Sequence, residues 1–303
     1  MKRNSDNRPE NDLPETSDRL PKIRKVEAGG DAALVLSSHR APMQWGDFEH
    51  IIVLGDSYSS DEEQNWVWFL RKRIPSDSRP TIRNFAKGGD TVEDDLTLQL
   101  ERLFTRLPTA ESIAGNGEVL VVIWLGINDW GRTDADELEP IVEQIFEAMH
   151  DLYTKWKARS FLLIDVPPMH RSPGGIGVIL FMNPVTESFL AQGKAMGIDD
   201  ERYTTWNSEL LRQAKEFATD ASKASVSVVS SYTIIADVLD DPESYGLSDC
   251  IEEEDSDHED EDEDEELEDS DDDSEKPMWA DNIHLSTAGH RVLADRLWTT
   301  FRK

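Results

Sequence analysis

The chain has 303 residues, a formal net charge of −32 and 38 % hydrophobic residues. That length holds one α/β domain of about 200–250 residues plus polar extras, and the acidic balance disfavours nucleic-acid binding, which needs a basic surface for phosphates. The single cysteine, Cys250, excludes an intramolecular disulfide, and no run approaches the ~20 apolar residues of a membrane span, so no stable membrane insertion is expected.

Residues 1–45 are rich in Asn, Asp, Pro, Lys and Arg and lack hydrophobic periodicity, apart from the short run Ala32 to Leu36. They are expected to form a disordered tail. The opening lacks the apolar stretch of a secretory signal, so a cytoplasmic, not secreted, protein is expected. The cluster Pro21-Lys22-Ile23-Arg24-Lys25 gives nuclear import as the alternative to plain solvated charge.

The folded domain is expected over residues 46–303. Ile51 to Leu54 is a continuous apolar run stopping at Gly55, the pattern of a buried parallel strand. Ser60-Asp61-Glu62-Glu63 reads as a capping box that opens a helix carrying Trp66, Phe69 and Leu70. Thr81 to Phe85 is a second strand, and Val92 to Leu107 a helix with Leu96, Leu100, Leu103 and Leu107 on one face. Glu118 to Leu125 is a third strand, Leu138 to Trp156 a helix and Phe161 to Val166 a fourth strand. Glu201 to Thr219 is helical, Val226 to Val229 is a fifth strand, and Ser286 caps a last helix running to Phe301. Alternating strands and helices imply a central parallel sheet of about five strands covered on both faces, with ligands beyond the carboxyl ends of the strands.

Four short motifs carry the chemistry: Gly55-Asp56-Ser57, Gly88-Gly89-Asp90, Gly126-Ile127-Asn128-Asp129 and Asp281-Asn282-Ile283-His284. Ser57 lies between a strand and a helix, where its hydroxyl and N–H point into one cleft near the positive end of the helix; the alternative is a plain helix-start serine. Gly89 lets the backbone approach a ligand with its N–H exposed, or simply makes a turn. The Asn128 amide donates to an oxyanion without adding charge, or closes an Asx-turn. A carboxylate at Asp281 accepts from the His284 Nδ1–H, which leaves Nε2 free to take a serine proton. Taken jointly, the set supplies a nucleophile (Ser57), a base and its orienting acid (His284, Asp281), and an oxyanion hole made by Ser57, Gly89 and Asn128. The sequence lacks the Gly-x-Ser-x-Gly elbow of the α/β-hydrolases.

These residues resemble the GDSL or SGNH hydrolase family. Leu54 to Tyr58 looks like its first block, Asn84 to Asp90 its second, Gly126 to Asp129 its third and Asp281 to His284 its last. Finer features are similar to the fungal acetylesterase-like branch: Gly-Asp-Ser-Tyr, Trp66, Val166-Pro167-Pro168 with Arg171-Ser172-Pro173, Pro242 to Gly246, and Trp279-Ala280-Asp281. The resemblance implies a three-layer α/β/α flavodoxin-like sandwich, an ester hydrolase that works without a cofactor, a small-molecule ester substrate, and the roles given above to Ser57, Gly89, Asn128, Asp281 and His284.

From Glu252 to Glu275 the chain has 19 Asp or Glu and no Lys or Arg; without them the remainder carries −13. This insert is expected to be disordered. It lacks the loop glycine and spacing of an EF-hand, so no metal is expected there. The plain expectation is a solvated loop. A sharper one is a negative field near the catalytic edge that repels anionic substrates. A further alternative makes the run a docking site for basic partners such as histones or ribosomal proteins, with the hydrolase domain as scaffold. Within enzymes the rival is a lysophospholipase or thioesterase on the same site, its acyl channel lined by the apolar stretch 176–181.

Overall fold

The computed structural model describes residues 23–25, 33–36, 44–61, 64–114, 118–174, 201–248 and 276–301. Two short strands come first, β1 (Ile23–Lys25) and β2 (Ala33–Leu36). Five parallel strands follow: β3 (Phe48–Gly55), β4 (Thr81–Asn84), β5 (Glu118–Trp124), β6 (Ser160–Ile164) and β7 (Ser225–Val229). They form one sheet in the order β1-β2-β7-β6-β5-β3-β4. Past their first residues, Glu118 and Ser160, the central strands are continuously apolar because both faces are covered: Val119 to Trp124 of β5 and Phe161 to Ile164 of β6 are all buried.

The helices are α1 (Trp66–Arg73), α2 (Val92–Arg106), α3 (Ala110–Ile113), α4 (Ile127–Trp130), α5 (Leu138–Thr154), α6 (Glu201–Asp220), α7 (Ser231–Asp240) and α8 (Thr287–Thr300). α2 packs on α5 and α5 on α6, while α1 packs on α8 and α8 on α7. These are two rows of helices, as a doubly wound α/β sandwich requires. No helix among the described residues is long and apolar enough to cross a membrane.

The chain leaves β3 for the edge strand β4, then returns to the other side of β3 to make β5. The strand order therefore reverses between β3 and β5, whose paired ends are Gly55 and Trp124. Such a reversal opens a crevice at the carboxyl ends of the two strands.

The structure departs from the sequence reading in four places. The parallel sheet has the expected five strands, but two more extend it. Residues 33–36, placed in a disordered tail by their polar surroundings, pair antiparallel with β7, Ala33 opposite Val229 and Leu36 opposite Val226. That pairing buries Leu36 completely, a gain that the local sequence does not advertise. The first helix is capped not by Ser60 but by Asn65, whose side chain accepts from the N–H groups of Val67 and Trp68. Asn65 also donates to the Ser60 carbonyl, which holds the start of the helix against the segment that follows Ser57. Finally, α7 directly follows β7 and was not anticipated, nor was the two-stranded parallel pair β8 (Leu247–Ser248) and β9 (Lys276–Pro277). The apolar stretch 176–181 and the acidic run 252–275 lie outside the described residues.

Candidate active site

Ser57 sits just past the end of β3. Its Oγ is 3.0 Å from Nε2 of His284, across a sequence separation of 227 residues. The other ring nitrogen, Nδ1, is 2.7 Å from Asp281 Oδ2. The second carboxylate oxygen of Asp281 accepts from the backbone N–H groups of Ile283 and His284, at 2.8 and 2.7 Å. Burial raises the Asp281 pKa, but these two N–H donors and the imidazole outweigh it, so the carboxyl is held below its usual value. An ionised, doubly anchored carboxylate fixes the imidazole with Nδ1 protonated and Nε2 turned to Ser57. The side chains of His284 and Asp281 are 37 % and 54 % exposed, so solvent and substrate reach the relay.

The glycine motif follows β4. Gly89 is exposed, has φ +79°, and among the described residues nothing lies within 4 Å of where a Cβ would stand. The turn thus needs the left-handed backbone and leaves open space beside it. Asn128 lies in α4, past the end of β5, and its Nδ2 donates to the Asp90 carbonyl at 2.9 Å. That bond fixes the amide and leaves its second N–H available. Gly126, at φ +123°, admits no side chain, since a Cβ would stand 2.2 Å from the Trp206 ring.

A buried network that the sequence reading missed ties these motifs together. The Gln99 amide bridges the first two: Oε1 accepts from the Gly55 N–H at 3.1 Å, and Nε2 donates to the Gly55 carbonyl and to Asp90 Oδ2, both at 2.8 Å. Asp129 accepts from the first N–H groups of α2, Val92 at 2.9 Å and Glu93 at 3.2 Å, so the third motif caps the helix that the second one opens. Burial raises the Asp129 pKa against these bonds. Asp56 is wholly buried and pushed up to about 7, first by desolvation, with the nearby Asp129 and Asp90 adding to it. One of its oxygens accepts from the Tyr58 N–H, and the other has no hydrogen-bond partner among the described residues.

Among the described residues no group of three or more His, Cys, Asp or Glu is arranged to hold a metal ion. A cavity of about 660 Å³ lies between α1 and β4, lined by Trp68, Arg71, Arg79 and Asn84 among others. None of Ser57, Gly89, Asn128 or His284 lines it. The hydrogen-bonded relay, not that cavity, marks the site.

The structure thus brings all five sequence-predicted residues to the carboxyl edge of the sheet: Ser57, Asp281 and His284 in one hydrogen-bonded line, and Gly89 and Asn128 joined through Asp90. The missed residues gave little signal. Gln99 looks like one polar residue in a leucine-rich helix, and only its complete burial reveals it.

An acetylesterase from Thermothelomyces thermophilus is 28 % identical over 205 residues, 61 % of this chain and 63 % of that protein, so the chain spans less than two thirds of that relative. Among solved structures, LAE5, an α/β hydrolase enzyme from the metagenome of Lake Arreo, overlaps with a TM-score of 0.48 at 14 % identity, covering 84 % of this chain and 94 % of that one. An acetyl xylan esterase from Geobacillus stearothermophilus gives a TM-score of 0.45 at 16 % identity, covering 84 % and 96 %. The sequence profile of the GDSL-like lipase/acylhydrolase family matches residues 51–297, and the chain belongs to that family.

Proposed function

We propose that this chain is a serine-type carboxylic ester hydrolase that cleaves small acyl esters. The observation that carries the reading is the unbroken line from Ser57 Oγ through the His284 imidazole to the Asp281 carboxylate. His284 Nε2 takes the Ser57 proton as Oγ attacks the ester carbonyl carbon. The carbonyl oxygen becomes an oxyanion, held by the N–H groups of Ser57 and Gly89 and the Asn128 amide. Collapse breaks the bond to the alcohol, which departs with the proton from His284, while the acyl group stays on Ser57 Oγ. Water then gives a proton to His284 and attacks the acyl carbon. The second intermediate releases the carboxylic acid and returns the proton to Ser57.

The acetylesterase relative supports a short acyl group. Ser57→Ala is expected to abolish both turnover of p-nitrophenyl acetate and labelling by a fluorophosphonate, with the fold intact. Wild-type-like turnover by that variant would refute the assignment. A series of p-nitrophenyl esters of rising acyl length is expected to favour acetyl, whereas a preference for long chains favours the lysophospholipase alternative.

A further inference from the structure

The Asp281–His284 loop is held from outside by the segment that carries the nucleophile. Tyr58, next to Ser57, is fully buried, and its hydroxyl donates to the carbonyl of Ile283, the residue before His284. Its ring lies 6.2 Å from the His284 ring and packs edge-on against Trp124 at 5.2 Å and His290 at 6.0 Å. Two more bonds complete the pattern. The Gly174 N–H donates to the Asn282 carbonyl at 2.7 Å, and the Ala280 N–H to the His284 carbonyl at 2.9 Å. Three consecutive carbonyls of an exposed loop are therefore each tied to a different donor.

The three ties are not equivalent. The Ala280 bond lies within the loop's own turn, and Gly174 comes from the segment after β6. Only Tyr58 links the loop to the nucleophile's own backbone, one residue from Ser57. Its hydroxyl is a lasting donor, since burial and then the nearby carboxylates of Asp56 and Asp281 push its pKa well above the usual tyrosine value. The sulfur of Met169, 3.6 Å away, is a much weaker acceptor than the Ile283 carbonyl.

We infer that Tyr58 is a positioning residue, whose hydroxyl sets the distance between Ser57 Oγ and His284 Nε2 by clamping the Ile283 carbonyl. This rests on the Ser57–His284 reading of the site. The proton transfer works only at hydrogen-bond reach, and misplacement by about 1 Å costs up to 10²-fold.

The test uses the full-length chain and Tyr58→Phe, which keeps the ring and removes only the hydroxyl. Turnover of p-nitrophenyl acetate is expected to fall about tenfold in kcat with KM within about twofold of wild type. The same change in a His284→Ala background is expected to alter the residual rate less than twofold, because the hydroxyl acts through the imidazole. An equal loss in both backgrounds, or no loss in the first, overturns the inference. A second readout needs no turnover. The imidazole Nδ1–H resonance of His284, assigned by its absence in His284→Ala, is expected to broaden or exchange faster in Tyr58→Phe. An unchanged resonance overturns the clamp. A perturbed resonance in a protein without Ser57-dependent ester turnover sinks the hydrolase reading and leaves the clamp standing.

Discussion

Replacing Gln99 by methionine tests whether one buried amide holds the first two motifs in place. Methionine keeps the length and the apolar stem but makes none of the three hydrogen bonds of the amide. Gln99 has three partners: the Gly55 N–H, the Gly55 carbonyl and Asp90 Oδ2. The Gly55 carbonyl keeps a donor, the Lys87 N–H at 3.2 Å. The other two partners are left bare in a site where Asp90 is 5 % exposed. A buried donor without a partner costs about 1–3 kcal/mol and a charged group more, so the total is about 3–5 kcal/mol. That is a large part of a typical stability of about 5–15 kcal/mol. Urea denaturation of Gln99→Met at pH 7 is expected to show that loss, and the thermal midpoint to fall by about 10 °C. Gln99→Glu keeps the shape but turns a second carboxylate on Asp90, and is expected to lose more than Gln99→Met. A Gln99→Met protein within about 0.5 kcal/mol of wild type, as for a typical surface substitution, would refute the bridging argument.

Asn128→Ala removes one of the proposed oxyanion donors and is expected to lower kcat on p-nitrophenyl acetate by about 10²–10³ with a small change in KM. Asp281→Asn leaves the loop bonds but presents an amide to the imidazole and favours the wrong tautomer, so kcat is expected to fall by about 10⁴ while the thermal midpoint moves little. His290 tests a buried imidazole by pH. Desolvation, and then the neighbouring His284, depress it to about 3, so it stays neutral in the fold while the unfolded chain takes up its proton near the ordinary value. Stability from this group is therefore present above about pH 6.5 and is lost as pH falls, by about 2 kcal/mol between pH 7 and pH 5. Asp56 and Asp165, raised by burial to about 7 and about 6, act with the opposite sign over the same window. The measurement is thus the difference between wild type and His290→Leu in urea at the two pH values, and equal slopes would count against the argument.

The residues of the proposed site were legible because chemistry-bearing side chains stand where strands end. Ser57 follows an apolar run, Asn128 another, and the Asp281–His284 spacing fits a tight loop on its own. The fifth to be read, Gly89, announced itself through a glycine pair. What the sequence hid depends on distant partners. Ser60 and Asn65 are both good caps, and the local pattern around Ser60 is the stronger. Asn65 prevails because the segment that follows Ser57 is first tied to β4, with Asn84 donating to the Ser59 carbonyl and to Asp61. Asp129 reads as part of a motif, yet its work is to cap a helix that begins 37 residues earlier. Tyr58 reads as one more core aromatic, and its hydroxyl finds a partner 225 residues away. Side chains that join motifs carry no periodicity, so pattern reading passes over them.

The antiparallel pairing of Ala33–Leu36 with β7 has a practical consequence. The family match begins only at residue 51, so a boundary drawn there discards the strand that shields this flank of the sheet. β7 would then offer a bare row of amides and carbonyls to other molecules. A chain begun at residue 44, which keeps the buried Trp45 and its bond to the Leu297 carbonyl, is expected to keep its chemistry yet self-associate through that flank, and the loss of solubility would be mistaken for a fault in the catalytic domain.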